Sequence, residues 1–506
     1  MTVTAATATG EEPTRWRAGL VGVPPLVLVA AAGMFLVLLA VSGAYGFHRD
    51  ELYFIVAGRH PALGYVDQPP LTPLLSALSV AVLGLSPTAV RILPALEMAL
   101  VVILAARMAH DLGGSSRAQV LAAITVAVSG YLAAGHLDDT AELDLLIWAV
   151  VVWLLVGLLD GADPRRWLAV GAVVGLGLEN KDTLLVLGAG LAVGLILARR
   201  WDVLRSPWPW IGLAIAVVIW LPNLYWQATN DWPQITMAGH IAGNDADNRA
   251  SFLPLLWLLA GPLLFPIALA GLVWMLLSTR ARAWRPIPIA ALVVVIIVAA
   301  TGGKAYYAVG TLPIFMAAGA VVLDRWVGRG HAWPKLAAFA VVAALSGAFI
   351  AYLTLPILSV EAFAASPLPT TVTDTAEQVG WPQLVATVEG VVAGLPADER
   401  SRAVILTTNY GEAGALVLLG QGLPPVYSGH NSFWTWGPPP ADRTVVVRVG
   451  DWSDMSGSSL FAGCRIVATI DNGAGVPNQE KGKPVSVCSG ISQPWSTLWP
   501  ILRHID

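Results

Sequence analysis

Residues 21–57 read VGVPPLVLVAAAGMFLVLLAVSGAYGFHRDELYFIVA. No charged side chain interrupts 21–43, and Arg49, Asp50 and Glu51 follow almost at once. A bilayer core of ~30 Å needs roughly 20 apolar residues at about 1.5 Å rise each. The stretch therefore reads as one membrane span that delivers an acidic pair to the membrane surface. Leu52, Tyr53, Phe54 and Ile55 make the acidic stretch amphipathic, as for a helix lying along that surface.

The pattern of the first span recurs. Apolar runs mark further spans at approximately 89–109, 118–134, 145–160, 167–179, 183–198, 208–222, 252–277, 287–301, 307–323 and 336–355, about eleven in all. Composition agrees: 56% of the 506 residues are hydrophobic and 12% charged, about half the charge of a soluble protein. Mean hydropathy is +0.67. A net charge of -4 argues against a nucleic-acid partner. Abundant Ala and an excess of Arg over Lys suggest a GC-rich bacterial genome. Residues 1–20 are polar and lack the apolar core of a signal peptide, and read as a disordered cytoplasmic tail.

Basic residues set the orientation. Alternate loops carry Arg15, Arg17, Arg107, Arg117, Arg165, Arg166, Arg199, Arg200, Arg205, Arg280, Arg282, Arg285, Arg325, Arg329 and Lys335. The other loops carry only Arg49, Arg59, Arg91, Lys181, Arg249 and Lys304. Fifteen against six makes the first set cytoplasmic, together with the N-terminus. An odd number of spans then puts 356–506 outside a bacterial cell membrane, beyond the transmembrane domain 21–355. The outer region reads as a small α/β domain. Ala403–Thr408 and Thr444–Gly450 have the short β-branched runs of strands, and Ala376–Gly394 and Gly411–Gly420 read as helices. Cys464 and Cys488 lie on the oxidising side, where a disulfide is expected.

Acidic residues collect in the outer loops: Asp50 and Glu51, Asp67 in GYVDQPPL (64–71), and Asp138, Asp139, Glu142 and Asp144 in HLDDTAELD (136–144). Lys181 and Lys304 come from other outer loops, the latter with Tyr306 and Tyr307. Ionisable groups at membrane depth are costly and mark function or a solvated exit. Carboxylates beside cations at headgroup level suit a lipid-linked phosphate substrate. A carboxylate can take a proton from an acceptor hydroxyl, and a cation or divalent metal can neutralise a departing phosphate. The plainer reading of Asp144 is a helix N-terminal acid, and of Lys181 a local salt bridge with Glu179 or Asp182. The loop SGHNSFWTWGPPP (428–440) suits carbohydrate stacking or docking onto the membrane part.

Five motifs in order, HRDELYF, GYVDQPPL, the acids before the fourth span, PNLYWQATNDWP (222–233) and GKAYYAVGTLPIF (303–315), carry a resemblance. The sequence resembles bacterial membrane glycosyltransferases related to protein O-mannosyltransferases and the lipid A aminoarabinose transferase, over about 20–355. The resemblance implies an all-α polytopic domain of the C-type glycosyltransferase fold. It implies inverting transfer of a hexosyl or pentosyl group from a polyprenyl-monophosphate sugar to a hydroxyl of an envelope glycan, lipid or protein, on the outer face. Asp50 matches the general base and Glu51 its partner, which would orient it or the acceptor. Asp67 matches an acid near the donor phosphate or a metal, so a divalent metal ion is a candidate cofactor. Gln68 stands where the lipid A enzymes place a Lys, so Lys304, with Tyr306 or Tyr307, becomes the candidate phosphate cation. Asp139 and Asp144 are secondary acids, and His240 aligns loosely with a histidine of some relatives. A transporter or flippase would also explain the spans, but those show internal repeats, and none is visible here. A non-catalytic envelope protein would have no need of intact Asp50, Glu51 and Asp67.

Overall fold

The computed structural model describes residues 22–243, 245–453 and 460–505. The tail read as disordered, 1–20, lies outside them. The protein is a multi-pass membrane protein. Among the described residues, six helical segments are long and apolar enough to cross a bilayer: Pro87–Asp111, Thr140–Leu159, Pro207–Thr229, Arg282–Ala300, Ala305–Val327 and Ala332–Thr354. Shorter apolar helices accompany them at Pro25–Val41, Ser116–Ala127, Trp167–Leu178, Thr183–Leu197 and Phe265–Leu277. Thr140–Leu159 and Ala305–Val327 are central and mostly covered by other helices, whereas Pro207–Thr229 and Ala332–Thr354 turn most of their surface outward. Small residues bring helices into backbone contact. Gly271 and Gly319 face the opposing chain so closely that a Cβ at either would strike a carbonyl oxygen of the partner helix.

Three expectations change. The run 118–134 is two helices, Ser116–Ala127 and Gly130–Ala134, because Ser129 leaves the helix and caps the second with its hydroxyl. The run 252–277 also breaks, into helices ending at Leu259 and starting at Phe265. Gly261 takes φ +79° there and Pro262 and Pro266 cannot donate to a continuing helix. Lastly, the amphipathic stretch does not lie on a lipid surface. It forms helix Arg49–Arg59, in which every residue from Glu51 to Ala57 is buried. One side packs on helix Leu71–Leu83 and the other on helix Tyr410–Leu419 of the outer part. Gly58 meets Pro73 and Gly414 meets Leu52 with no room for a Cβ.

The C-terminal part, which the basic-residue bias assigns to the outside, is α/β. Its strands are β1 (Ala403–Thr407), β2 (Val426–Ser428), β3 (Val445–Val449), β4 (Phe461–Ala462), β5 (Arg465–Thr469), β6 (Pro484–Cys488) and β7 (Gly490–Ile491). The main sheet runs β2-β1-β3-β6-β5, parallel across β2-β1-β3 and antiparallel beyond, and β4 pairs with β7. Helix Trp381–Ala393 buries Leu384, Val385, Val388 and Val392 against one sheet face. It starts at Trp381 rather than at Ala376, because Gly380 takes φ +105° just before it.

Cys464 and Cys488 are bonded, as expected. On the chain-entropy view a loop of this length adds about 3 kcal/mol. Thiol labelling of the unfolded protein should therefore detect nothing until reductant is added, and reduction should lower the melting temperature of the outer part. Labelling before reduction would contradict the bond.

Candidate active site

Helix Arg49–Arg59 places the key side chains. His48 is its N-cap, and the backbone N–H of Asp50 donates to His48 Nδ1 at 3.3 Å. Residues adjacent on a helix point about 100° apart, so the acidic pair divides. Glu51 turns inward and is fully buried. It accepts from Arg91 Nε at 2.6 Å and Nη2 at 2.8 Å, and from the backbone N–H of His48 at 2.7 Å and Asp138 at 3.1 Å. Arg91, also buried, spends its remaining donors on the carbonyls of Ser42 and Gly46. Glu51 thus accepts four hydrogen bonds from three residues and has no face on the cavity. It is corrected from catalytic partner to the anchor that fixes the start of the helix.

Asp50 turns the other way, into open space. Three cavities share Asp50 and Lys304 in their walls. One, of about 490 Å³, lies among the membrane helices and adds Asp67, Gln68, Asp139, Lys181, Tyr306 and Tyr307, with Ile241, Ile297 and Val298 as apolar wall. A second, of about 290 Å³, reaches Asp139, Glu142 and Asp144. The third, of about 700 Å³, runs beneath the outer part past Asp374, Glu377, Asn409 and Gln479. An apolar-walled chamber and a polar cleft therefore meet at one carboxylate.

The structure brings together Asp50, Asp67, Asp139, Lys181, Lys304, Tyr306 and Tyr307. Lys181 Nζ donates to Thr140 Oγ1 at 2.9 Å and lies 5.1 and 5.3 Å from the ring centres of Tyr306 and Tyr307, while Lys304 Nζ is 5.9 Å from Tyr306. Burial alone would lower the Lys181 amine, but Asp139, Tyr307, Asp144 and Glu142 outweigh it and raise it, so it keeps its charge. Asp139 caps helix Thr140–Leu159, and Asp144 accepts from Thr183 Oγ1 at 2.7 Å. Both serve as counter-charges to Lys181. His240 is not brought in. Helix Pro233–Gly243 offers Gln234, Met237, Ala238, Ile241 and Ala242 to the chamber, and the helical period carries His240 round to an exposed flank.

The sequence reading missed the residues that the outer part contributes. Tyr410, first residue of helix Tyr410–Leu419, donates its hydroxyl to Asp50 Oδ1 at 2.7 Å. The Arg49 guanidinium lies 4.6 Å over the Tyr410 ring. Tyr53 Oη donates to Asp67 Oδ1 at 2.6 Å, and Asn431 Nδ2 to Asp67 Oδ2 at 3.4 Å. The capping pair Asn409–Glu412 marks this helix start in the sequence, but not what it faces. The aromatic loop 428–440 docks onto the membrane part. Phe433 packs near Tyr53, Trp436 stacks on His60 at 4.2 Å, and Ser432 Oγ accepts from the Val66 N–H at 3.1 Å.

The two aspartates are tuned apart. Burial pushes the Asp50 carboxyl up, but His48, Arg49, the Tyr410 hydroxyl and Lys304 together outweigh it and hold it below the usual carboxylate range. Burial lifts Asp67 to about 7, against its hydrogen bond from Tyr53, and the nearby Asp50 charge adds to the rise. Near neutral pH, Asp50 is ionised and Asp67 is poised to hold a proton. Hydrogen-bond partners already engage both aspartates. Tyr410 and His48 engage Asp50, Tyr53 and Asn431 engage Asp67, and among the described residues no three His, Cys, Asp or Glu side chains are grouped for a metal ion. Lys181 and Lys304 are the cations in the chamber wall.

The architecture has known counterparts. The chain is similar to ArnT from Cupriavidus metallidurans bound to undecaprenyl phosphate, at 16% identity and TM-score 0.61 over 92% of this chain and 98% of that one. The apo form of the same protein gives 0.59, at 16% identity, over 92% and 97%. The Archaeoglobus fulgidus oligosaccharyltransferase AglB, in complex with an inhibitory peptide and a dolichol-phosphate, gives 0.48 at 12% identity, over 84% and 69%. Residues 67–226 match the sequence model of the dolichyl-phosphate-mannose-protein mannosyltransferase family. No curated protein sequence matches the chain. The chain has the C-type glycosyltransferase fold, and the resemblance read from its five motifs is borne out.

Proposed function

We propose that the protein transfers a sugar from a polyprenyl-monophosphate donor to an acceptor hydroxyl at the outer face of the bacterial cell membrane, with inversion. The observation that carries this reading is the shared wall of Asp50 and Lys304, where the apolar-walled chamber meets the polar cleft. The likeness to a fold solved with undecaprenyl phosphate supports a lipid phosphate in the chamber.

The donor phosphate lies against Lys181 and Lys304 in the chamber, with its lipid chain along Ile241, Ile297 and Val298. The acceptor enters from the cleft. Asp50 takes the proton of the acceptor hydroxyl, whose oxygen attacks the anomeric carbon on the face opposite the phosphate. The bond from that carbon to the phosphate oxygen breaks, and polyprenyl phosphate leaves with the electron pair. The lysines stabilise the charge that develops on it.

Two results test this arrangement. Hydrogen bonds to charged groups are each worth about 1.5–3 kcal/mol. Lys304→Ala and Lys181→Ala should therefore each weaken undecaprenyl phosphate binding by about tenfold or more, measured by titration of the purified protein. Unchanged binding in both would place the phosphate elsewhere. Tyr410→Phe removes a hydrogen bond that favours the ionised form of Asp50, so the base titrates higher. The acidic limb of kcat/KM should move to higher pH, with donor binding retained. A fall in activity with an unmoved pH profile would make Tyr410 merely structural.

A further inference from the structure

A separate cavity of about 730 Å³ lies at the opposite end of the helices from Asp50. Segment Ala305–Val327 starts beside Lys304 and carries Arg325 some 20 residues on, about 30 Å away along a helix. That is the thickness of a bilayer core, so the two sites sit at opposite faces.

The cavity is cut between helices Phe265–Leu277 and Leu312–Val327. Its walls include Ile267, Val322 and Leu323, and Arg280, Arg325 and Arg329 line it. Arg325 lies 5.1 Å over the Trp274 ring, and Trp326 is 49% exposed at the rim. The adjacent acid, Asp324, is already taken. It accepts from Arg117 Nε at 2.5 Å and Ser115 Oγ at 2.8 Å. Among the described residues no carboxylate is in ion-pair contact with Arg280, Arg325 or Arg329.

The Asp324 charge reaches Arg325 through space, but no carboxylate among the described residues pairs directly with the three guanidiniums, and guanidinium is the group best shaped for phosphate oxygens. The apolar walls select among anions. Leu269, Val273 and Leu277 of the same helix are exposed on the outside of the bundle, so the slot adjoins lipid rather than water alone. Basic pockets between membrane helices with interfacial tryptophans are suited to anionic headgroups.

We propose that this slot binds an anionic glycerophospholipid, its phosphodiester held by Arg280, Arg325 and Arg329 and an acyl chain laid along Ile267, Val322 and Leu323. The site is independent of sugar transfer and takes no part in the chemistry at Asp50.

The test is native mass spectrometry of the purified full chain with phosphatidylglycerol, phosphatidylcholine, undecaprenyl phosphate and inorganic phosphate as probes. Wild type should retain phosphatidylglycerol over phosphatidylcholine by about tenfold or more, from about 1 kcal/mol per basic residue near the headgroup. The double variant Arg280→Gln/Arg325→Gln should lose that preference, with an unchanged melting temperature in zwitterionic detergent. Arg199→Gln/Arg205→Gln, on exposed loop residues outside the cavity, should keep it. Equal loss in both double variants would mean diffuse surface charge and no site. Retention by Arg280→Gln/Arg325→Gln, displacement by inorganic phosphate, or preference for undecaprenyl phosphate would each overturn the assignment.

Discussion

Asp50→Asn is expected to lower sugar transfer by about 10²–10⁴-fold, the usual worth of a general base. The substitution keeps the side chain's size and still leaves an oxygen for the Tyr410 hydroxyl, now at 2.7 Å from Asp50 Oδ1. It removes only the ability to accept a proton. Folding should survive, because a neutral amide is easier to enclose than a carboxylate. Donor binding should survive too, since the proposed arrangement has Asp50 acting on the acceptor and Lys181 and Lys304 holding the phosphate. Matched assays of transfer and donor binding on the purified variant separate these effects. If transfer and binding fall together, Asp50 is a donor ligand. If transfer stays near wild type, the base lies elsewhere, with Asp139 and Asp144 of the second cavity next in line.

Arg91→Ala should cost about 3–5 kcal/mol of stability, the penalty for stranding one member of a buried ion pair. Arg91 is 1% exposed and Glu51 0%, so water cannot replace the lost guanidinium. The carbonyls of Ser42 and Gly46 lose their donors as well. Thermal unfolding in detergent should show a clear fall in midpoint. Activity should fall with it, because Asp50 rides on the helix that Glu51 anchors. Adding Glu51→Leu should restore stability only in part, since the backbone N–H groups of His48 and Asp138 would then lack their acceptor. A melting temperature unaffected by Arg91→Ala would mean that the pair does not hold the first outer loop.

The chamber was largely legible in the sequence for a physical reason. The basic-residue bias assigned Asp50, Asp67, Asp139, Lys181 and Lys304 to one side of the membrane, and groups confined to one face of a bundle have few places to meet. Glu51 was misread because adjacency in sequence does not mean a shared direction on a helix. Its partner, Arg91, is 40 residues away and belongs to another segment. Tyr410 was invisible because it faces Asp50 only after the outer part docks, and no local pattern encodes that contact across 360 residues. The broken runs at 128–129 and 260–264 carried their own signals, Ser129 and the sequence Gly261-Pro262. Unbroken hydrophobicity hid both, because a hydropathy run records burial in lipid and not the continuity of a helix.

The most direct test is transfer itself. Vesicles containing the purified protein would be supplied with a polyprenyl-phosphate carrying a labelled sugar, and with envelope extract as acceptor. The expected result is label in a new glycoside of inverted anomeric configuration, with release of polyprenyl monophosphate, and loss of both products in Asp50→Asn. Intact labelled donor recovered on the opposite side of the bilayer, with no new glycoside formed, would contradict it and identify a lipid transporter instead.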